Sequence, residues 1–235
     1  MRLKFVLLFL VSFCVAAWSA TINGTVSGTV VDNAGIPVPG ARVVLSLALS
    51  SSSGKASGPP TVTGPRIAAV TSDLLGRFSA VAIPGGTYVA CAQAPVEGFL
   101  DPCHWAAAAP GFALTAGQQL TGVTIIMARG AVIPIHVNDP QGLLSAVSGP
   151  FNPSCRFDVV TAKGLHYPAR IQTQSAGSED HATTIPFGST LQLQVVSPHL
   201  VLADSSGKTV SSALPISVAP GLTAAQLIYT VTGTK

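Results

Sequence analysis

The sequence predicts an all-β chain, two β-sandwich domains following an N-terminal signal peptide. Three observations carry that expectation. Charged residues make up only 9% of the 235-residue chain, against about 25% in an average soluble protein, so the charged outer faces of amphipathic helices are missing. Several segments alternate apolar and polar residues with the period of two that marks a half-buried strand. Clusters of Gly, Pro, Asn, Asp and Ser punctuate those segments at short intervals, as in sandwich folds.

At the N-terminus, Arg2 and Lys4 precede the apolar run Phe5 to Ala17, with small residues at Ala17 and Ser19. A basic start, a short apolar run and small residues read as a secretory signal peptide cleaved after Ser19, with Ala20 as the alternative. A lipidated Cys14 is disfavoured because Phe13 is bulky. Removing residues 1–19 lowers the formal net charge from +3 to +1. A nearly neutral chain without a Lys/Arg run gives no footprint for nucleic acid.

The expected first domain spans residues 20–129. Thr21 to Asp32 and Ala41 to Leu49 read as strands. Between them, Asp32 and Asn33 can cap a turn, Gly35 permits positive φ, and Pro37 and Pro39 cannot sit in a sheet centre. That stretch is therefore a connection from one strand to another. Ser50 to Pro65 is a low-complexity loop. Further strands are expected at Ile67–Thr71, Arg77–Ile83, Thr87–Ala94 and Gln118–Ala128, with one helical turn in the Ala106–Gly117 segment before Pro110. Cys91 and Cys103 bracket a turn-rich loop, and in an exported chain their default state is a disulfide. Cys155 is left over as a buried thiol in a strand.

The segments Gly28 to Leu45 and Thr71 to Ala92 together resemble the carboxypeptidase regulatory-like domain, a prealbumin-like (transthyretin-like) sandwich within the carbohydrate-binding-like folds. The matching residues are Gly28, Val30, Gly35, Pro39-Gly40-Ala41 and Val43, then Asp73-x-x-Gly76-x-Phe78, then Gly86-x-Tyr88. The resemblance covers about residues 22–128. It implies a fold and nothing catalytic.

Residues 130–235 are expected to form a second, Ig-like or prealbumin-like sandwich, with strands at Ala131–Asp139, Ser154–Ala162, Ser189–Ser197 and Ala224–Gly233. The echo between Val30-Val-Asp-Asn-Ala-Gly35 and Val137-Asn-Asp-Pro-Gln-Gly142 is too short to be read as a repeat. Gly130 marks the boundary.

No catalytic signature appears. His104, His136, His166, His181 and His199 start no HxxE or HExxH pattern, so neither a metal site nor a cofactor is expected. The Ser-x-x-Lys spacings at Ser52–Lys55 and Ser205–Lys208 lie in Gly/Ser loops, where no helix turn brings lysine to serine. An enzyme would need a cleft gathering His166, His181 and an acid such as Asp158 or Glu179, and no spacing supports one. Asn23-Gly24-Thr25 is a glycosylation sequon.

The expected function is that of an exported periplasmic, envelope or extracellular structural and interaction module without enzymatic activity. Its partner would be an envelope protein or a polysaccharide. The alternative is a carbohydrate-binding module in which Trp105 and His104, beside the Cys91–Cys103 disulfide, form an aromatic platform. Against that stands the packing of Trp105 over the sandwich end or against the second domain.

Overall fold

In the computed structural model, the described residues are 23–48, 64–105, 111–144, 155–162, 164–210 and 213–235. The segment expected to be a signal peptide, Cys14, most of the Ser50–Pro65 loop and the Ala106–Pro110 run lie outside them.

The fold is all-β. The first sandwich contains β1 (Gly24–Asp32), β2 (Arg42–Leu47), β3 (Arg66–Thr71), β4 (Arg77–Ile83), β5 (Gly86–Gln93), β6 (Gly111–Leu114) and β7 (Gln119–Met127), with one short helix, α1 (Pro102–Trp105). Its two sheets have the orders β4-β1-β7 and β3-β2-β5-β6. The proline-rich connection after β1 thus carries the chain from one sheet to the other. Val26 and Val30 from β1, Val43 and Leu45 from β2, Phe78, Ile83, Tyr88 and Ile125 fill the space between them. Strand β5 is buried on both faces. Tyr88, Ala90 and Ala92 point into the core, while Val89 and Cys91 are covered by the loop that carries Cys103.

The second sandwich contains β8 (Ala131–Asn138), β9 (Arg156–Val160), β10 (His166–Pro168), β11 (Arg170–Ser175), β12 (Ser178–Ile185), β13 (Leu191–Val196), β14 (Leu200–Asp204), β15 (Leu214–Ile216) and β16 (Leu227–Thr234). The sheet orders are β10-β9-β13-β15 and β11-β12-β8-β16-β14. Phe157 stacks on Tyr229 with ring centroids 5.3 Å apart at the centre of its core. Pro134 interrupts β8 where its β16 flank is unpaired, since that pairing begins only at Ile135.

Both sandwiches close alike. The first strand of each pairs in parallel with the last, β1 with β7 and β8 with β16, and antiparallel with β4 or β12 on its other side. The two echoing hexapeptides occupy equivalent places, each running off the end of that first strand.

One turn recurs four times, as Asp-x-x-Gly at Asp32–Gly35, Asp73–Gly76, Asp139–Gly142 and Asp204–Gly207. In each the glycine N–H donates to the aspartate carbonyl and the glycine φ is positive, between 70° and 82°. The aspartate carboxylate accepts further backbone N–H groups: Ala34 and Ile36 on Asp32, Leu75 and Arg77 on Asp73, Leu144 on Asp139, Ser206 and Lys208 on Asp204. A short acceptor followed three residues later by a residue free to adopt φ > 0 is the cheapest way to end a strand and reverse the chain. Ser205–Lys208 lies within the last of these turns, not on a helix.

Candidate functional site

Cys91 on β5 and Cys103 on α1 form the disulfide, with Cα atoms 5.4 Å apart. Closing a loop of this length stabilises the fold by about 3 kcal/mol on the chain-entropy account. The loop is held independently at several points. Asp101 Oδ1 accepts from the Cys103 N–H at 2.9 Å, capping α1 as short acceptors do. Leu100 N–H donates to Ala128 O, and Gly130 N–H to Gly98 O. Arg129 lies 4.3 Å above the Phe99 ring and pairs with the buried Asp32 at 3.1 Å. The segment expected to present a platform is thereby stitched to the end of β7, where the chain passes into β8.

Trp105 and His104 both turn toward the second sandwich. The Trp105 ring lies 4.6 Å from that of Tyr167, and His104 lies 4.7 Å from the same ring. Trp105 is half-buried against the second core, so the packing alternative weighed against a platform describes its position. Polar contacts surround the aromatic group. Thr184 Oγ1 accepts from the Gly98 N–H at 2.9 Å and donates to Glu97 Oε2 at 2.6 Å. Arg170 donates to Ala94 O at 2.8 Å and lies 3.6 Å from Glu97. Beside this seam is an open cleft of about 280 Å³ whose lining includes Glu97, Asp101, Trp105, Tyr167, Arg170 and Thr184. Burial raises the Asp101 carboxyl above its ordinary range, against the opposing pull of His104 and the Cys103 N–H. Burial, and secondarily the Asp101 charge, raises Tyr167.

His166, His181 and the candidate acids Asp158 and Glu179 do not share a cleft. Asp158 pairs with Arg156 at 2.8 Å and with His166 at 3.5 Å. Phe157 and Val159 on either side of it enter the core, so strand alternation puts Asp158 on the opposite face. His181 and Glu179 point inward: His181 meets the edge of Phe157 at 4.9 Å and sits 3.2 Å from Glu179. Sheet β10-β9-β13-β15 separates the two groups. Sequence reasoning missed that Cys155, buried just before β9, donates to Glu179 Oε2 at 3.6 Å. Glu179 and His181 lie two positions apart, but only the folding of two sheets brings Cys155 to them, which leaves no linear signal.

The charged pairs give the fold a pH profile. Backbone N–H donors hold Asp32 low, the His181 contact holds Glu179 low, and hydroxyl donors from Thr173 and Ser206 hold Asp180 and Asp204 low. Groups depressed on folding contribute stability above their unfolded pKa of about 4 and lose it as pH falls through their lower folded values. His136 is raised by its hydrogen bond to Asp180, 2.6 Å away. Its contribution is complete below an unfolded pKa of about 6.5 and is lost as pH rises through the raised folded value. Thermal unfolding is therefore expected to show maximal stability between these limits, with the first decline above about pH 6.5 reduced in His136→Gln, while the buried Cys155 thiol and Tyr167 hydroxyl, both raised, act only at more alkaline pH. A Tm still rising above neutrality would contradict this.

No family model matches the chain, and no curated protein matches it. Among solved structures, it is similar to a streptococcal ancillary pilin at 15% identity and a TM-score of 0.39, over 88% of this chain and 62% of that one. It is similar to the minor pilin of Streptococcus agalactiae at 10% identity and 0.38, over 90% and 98% respectively. A putative carbohydrate binding protein from Pseudomonas aeruginosa overlaps 48% of this chain and 93% of its own, at 16% identity and 0.27. The chain spans only 34% of the Bacillus anthracis TIE protein, another such neighbour. Identities and overlaps this low carry no argument about what the chain does.

Proposed function

We propose that this chain is an exported, non-catalytic structural and interaction module. Residues 1–19 act as its signal peptide, and residues 20–129 and 130–235 are the two sandwiches. The observation that carries this reading is the seam: the Trp105 ring packs against that of Tyr167 at a tilt of 50°, Thr184 Oγ1 accepts from the Gly98 N–H and donates to Glu97, and Arg170 donates to Ala94 O. Such an arrangement fixes the relation of two sandwiches and leaves outer loops for contact with an envelope protein. Motifs in residues 22–128 support kinship of the first sandwich with carboxypeptidase regulatory-like domains, whose role here is architectural.

The carbohydrate alternative needs an open aromatic face, and Tyr167 already occupies the neighbourhood of Trp105. Pull-down of the purified protein on a panel of insoluble polysaccharides separates the readings. The expected result is no retention of either the parent or Trp105→Ala. Retention of the parent with loss in the variant would replace the module reading with a sugar-binding one.

A further inference from the structure

Inside the second sandwich, the thiol of Cys155, the carboxylate of Glu179 and the imidazole of His181 converge, all three buried. The module reading gives this cluster no role. We propose that it is a binding site for one divalent transition-metal ion, with zinc as the reference ion.

The donor set comes first. Thiolate, imidazole and carboxylate are the three side-chain ligands that zinc takes, and thiolate disfavours magnesium and calcium. The spacing also fits. Zinc–ligand bonds of about 2.0–2.3 Å at tetrahedral angles put sulfur and oxygen ligands about 3.5 Å apart, and nitrogen and oxygen about 3.3 Å apart. The separations are 3.6 Å from Cys155 Sγ to Glu179 Oε2 and 3.2 Å from His181 Nε2 to the same oxygen. All three ligand atoms lie within 4.8 Å of one another, so binding asks for side-chain adjustment and not for movement of strands.

The supporting contacts suit such a site. Gln174 Nε2 donates to Glu179 Oε1 at 2.7 Å, which engages one carboxylate oxygen and leaves the other to face Cys155 and His181. Hydrogen bonding of that kind orients metal-ligating carboxylates. Glu179 and His181 stand two residues apart on one face of β12, and Cys155 approaches them from the residue that precedes β9 in the opposite sheet. Binding replaces the Cys155 thiol proton, released to solvent, with a metal–sulfur bond. Thiolate, carboxylate and a divalent ion then sum to zero charge within an apolar core. Three protein ligands leave the fourth position to water. Gln174 belongs to β11, an exposed edge strand, which puts solvent one strand away.

The test uses the full chain carrying Cys14→Ser, so that Cys155 is the sole free thiol beside the Cys91–Cys103 disulfide. Cobalt(II) is titrated into the native protein and into protein refolded with the ion present, so that slow entry into a closed core does not mask binding. The expected result is a thiolate-to-cobalt charge-transfer band saturating at one equivalent, displaced by zinc and lost in Cys155→Ser. Gln174→Ala, on the exposed strand, should fold normally and bind about 10- to 100-fold more weakly. No band in either preparation would overturn the site and leave a carboxylate satisfied by three donors. A band that survives Cys155→Ser would overturn it equally.

Discussion

A Gly28→Ala variant is expected to lose the first sandwich. A Cβ at Gly28 would lie 1.8 Å from the carbonyl oxygen of Val123 and 3.0 Å from Phe78. The first of these neighbours is backbone, in the parallel pairing of β1 with β7, and that pairing already shifts register between Val26 and Gly28. No rotamer relieves such a clash. The strands must part, and β1 is the central strand of its sheet. The cost should reach or exceed the top of the about 1–3 kcal/mol range for overpacked cores. Denaturant unfolding with a probe in each sandwich checks this. An unchanged midpoint for the first sandwich would mean that β1 and β7 are not paired as described.

Gly130→Ala should act at the seam. There a Cβ would meet Ile185 O at 2.6 Å, Thr184 Cγ2 at 2.8 Å and Leu100 Cδ2 at 2.9 Å. These atoms belong to the end of β12 and to the disulfide loop, so the added methyl wedges the second sandwich away from the first. A loss of about 1–3 kcal/mol is expected. Amide exchange should localise it, with the Gly98 N–H that donates to Thr184 deprotected while core amides of both sandwiches keep their protection. Uniform protection across Gly98 would show that the sandwiches do not meet at this glycine.

Gly130 illustrates how the sequence was legible and where it was not. Its position between two strand-like segments is visible in the sequence, but nothing there shows that three neighbours leave no room for a methyl group. The strands of alternating apolar residues, β1, β2 and β4, could be read because each buries one face against a single core, and β5, buried on both faces, because its apolar run is bounded by turn residues. In β12 the inward positions carry Glu179 and His181, so its alternation is concealed. Strand β11 is exposed at all six positions and has no apolar face to betray it. Strand β15 is three residues long and contains Pro215. The turns were visible one by one, yet their common Asp-x-x-Gly form becomes meaningful only when the carboxylates are seen accepting backbone N–H groups. The Cys91–Cys103 pair was legible from the turn-rich loop the two cysteines bracket, under the expectation of export. The partner of Trp105 was not, because Tyr167 lies sixty-two positions away on another sandwich.

Through the Trp105–Tyr167 seam the two sandwiches are expected to behave as one rigid unit. Residual dipolar couplings measured on the intact protein test this most directly. A single alignment tensor is expected to fit the amides of both sandwiches, splitting into two in Tyr167→Ala. Two independent tensors in the parent protein would contradict it, because a seam that lets the sandwiches reorient freely cannot be what defines the module.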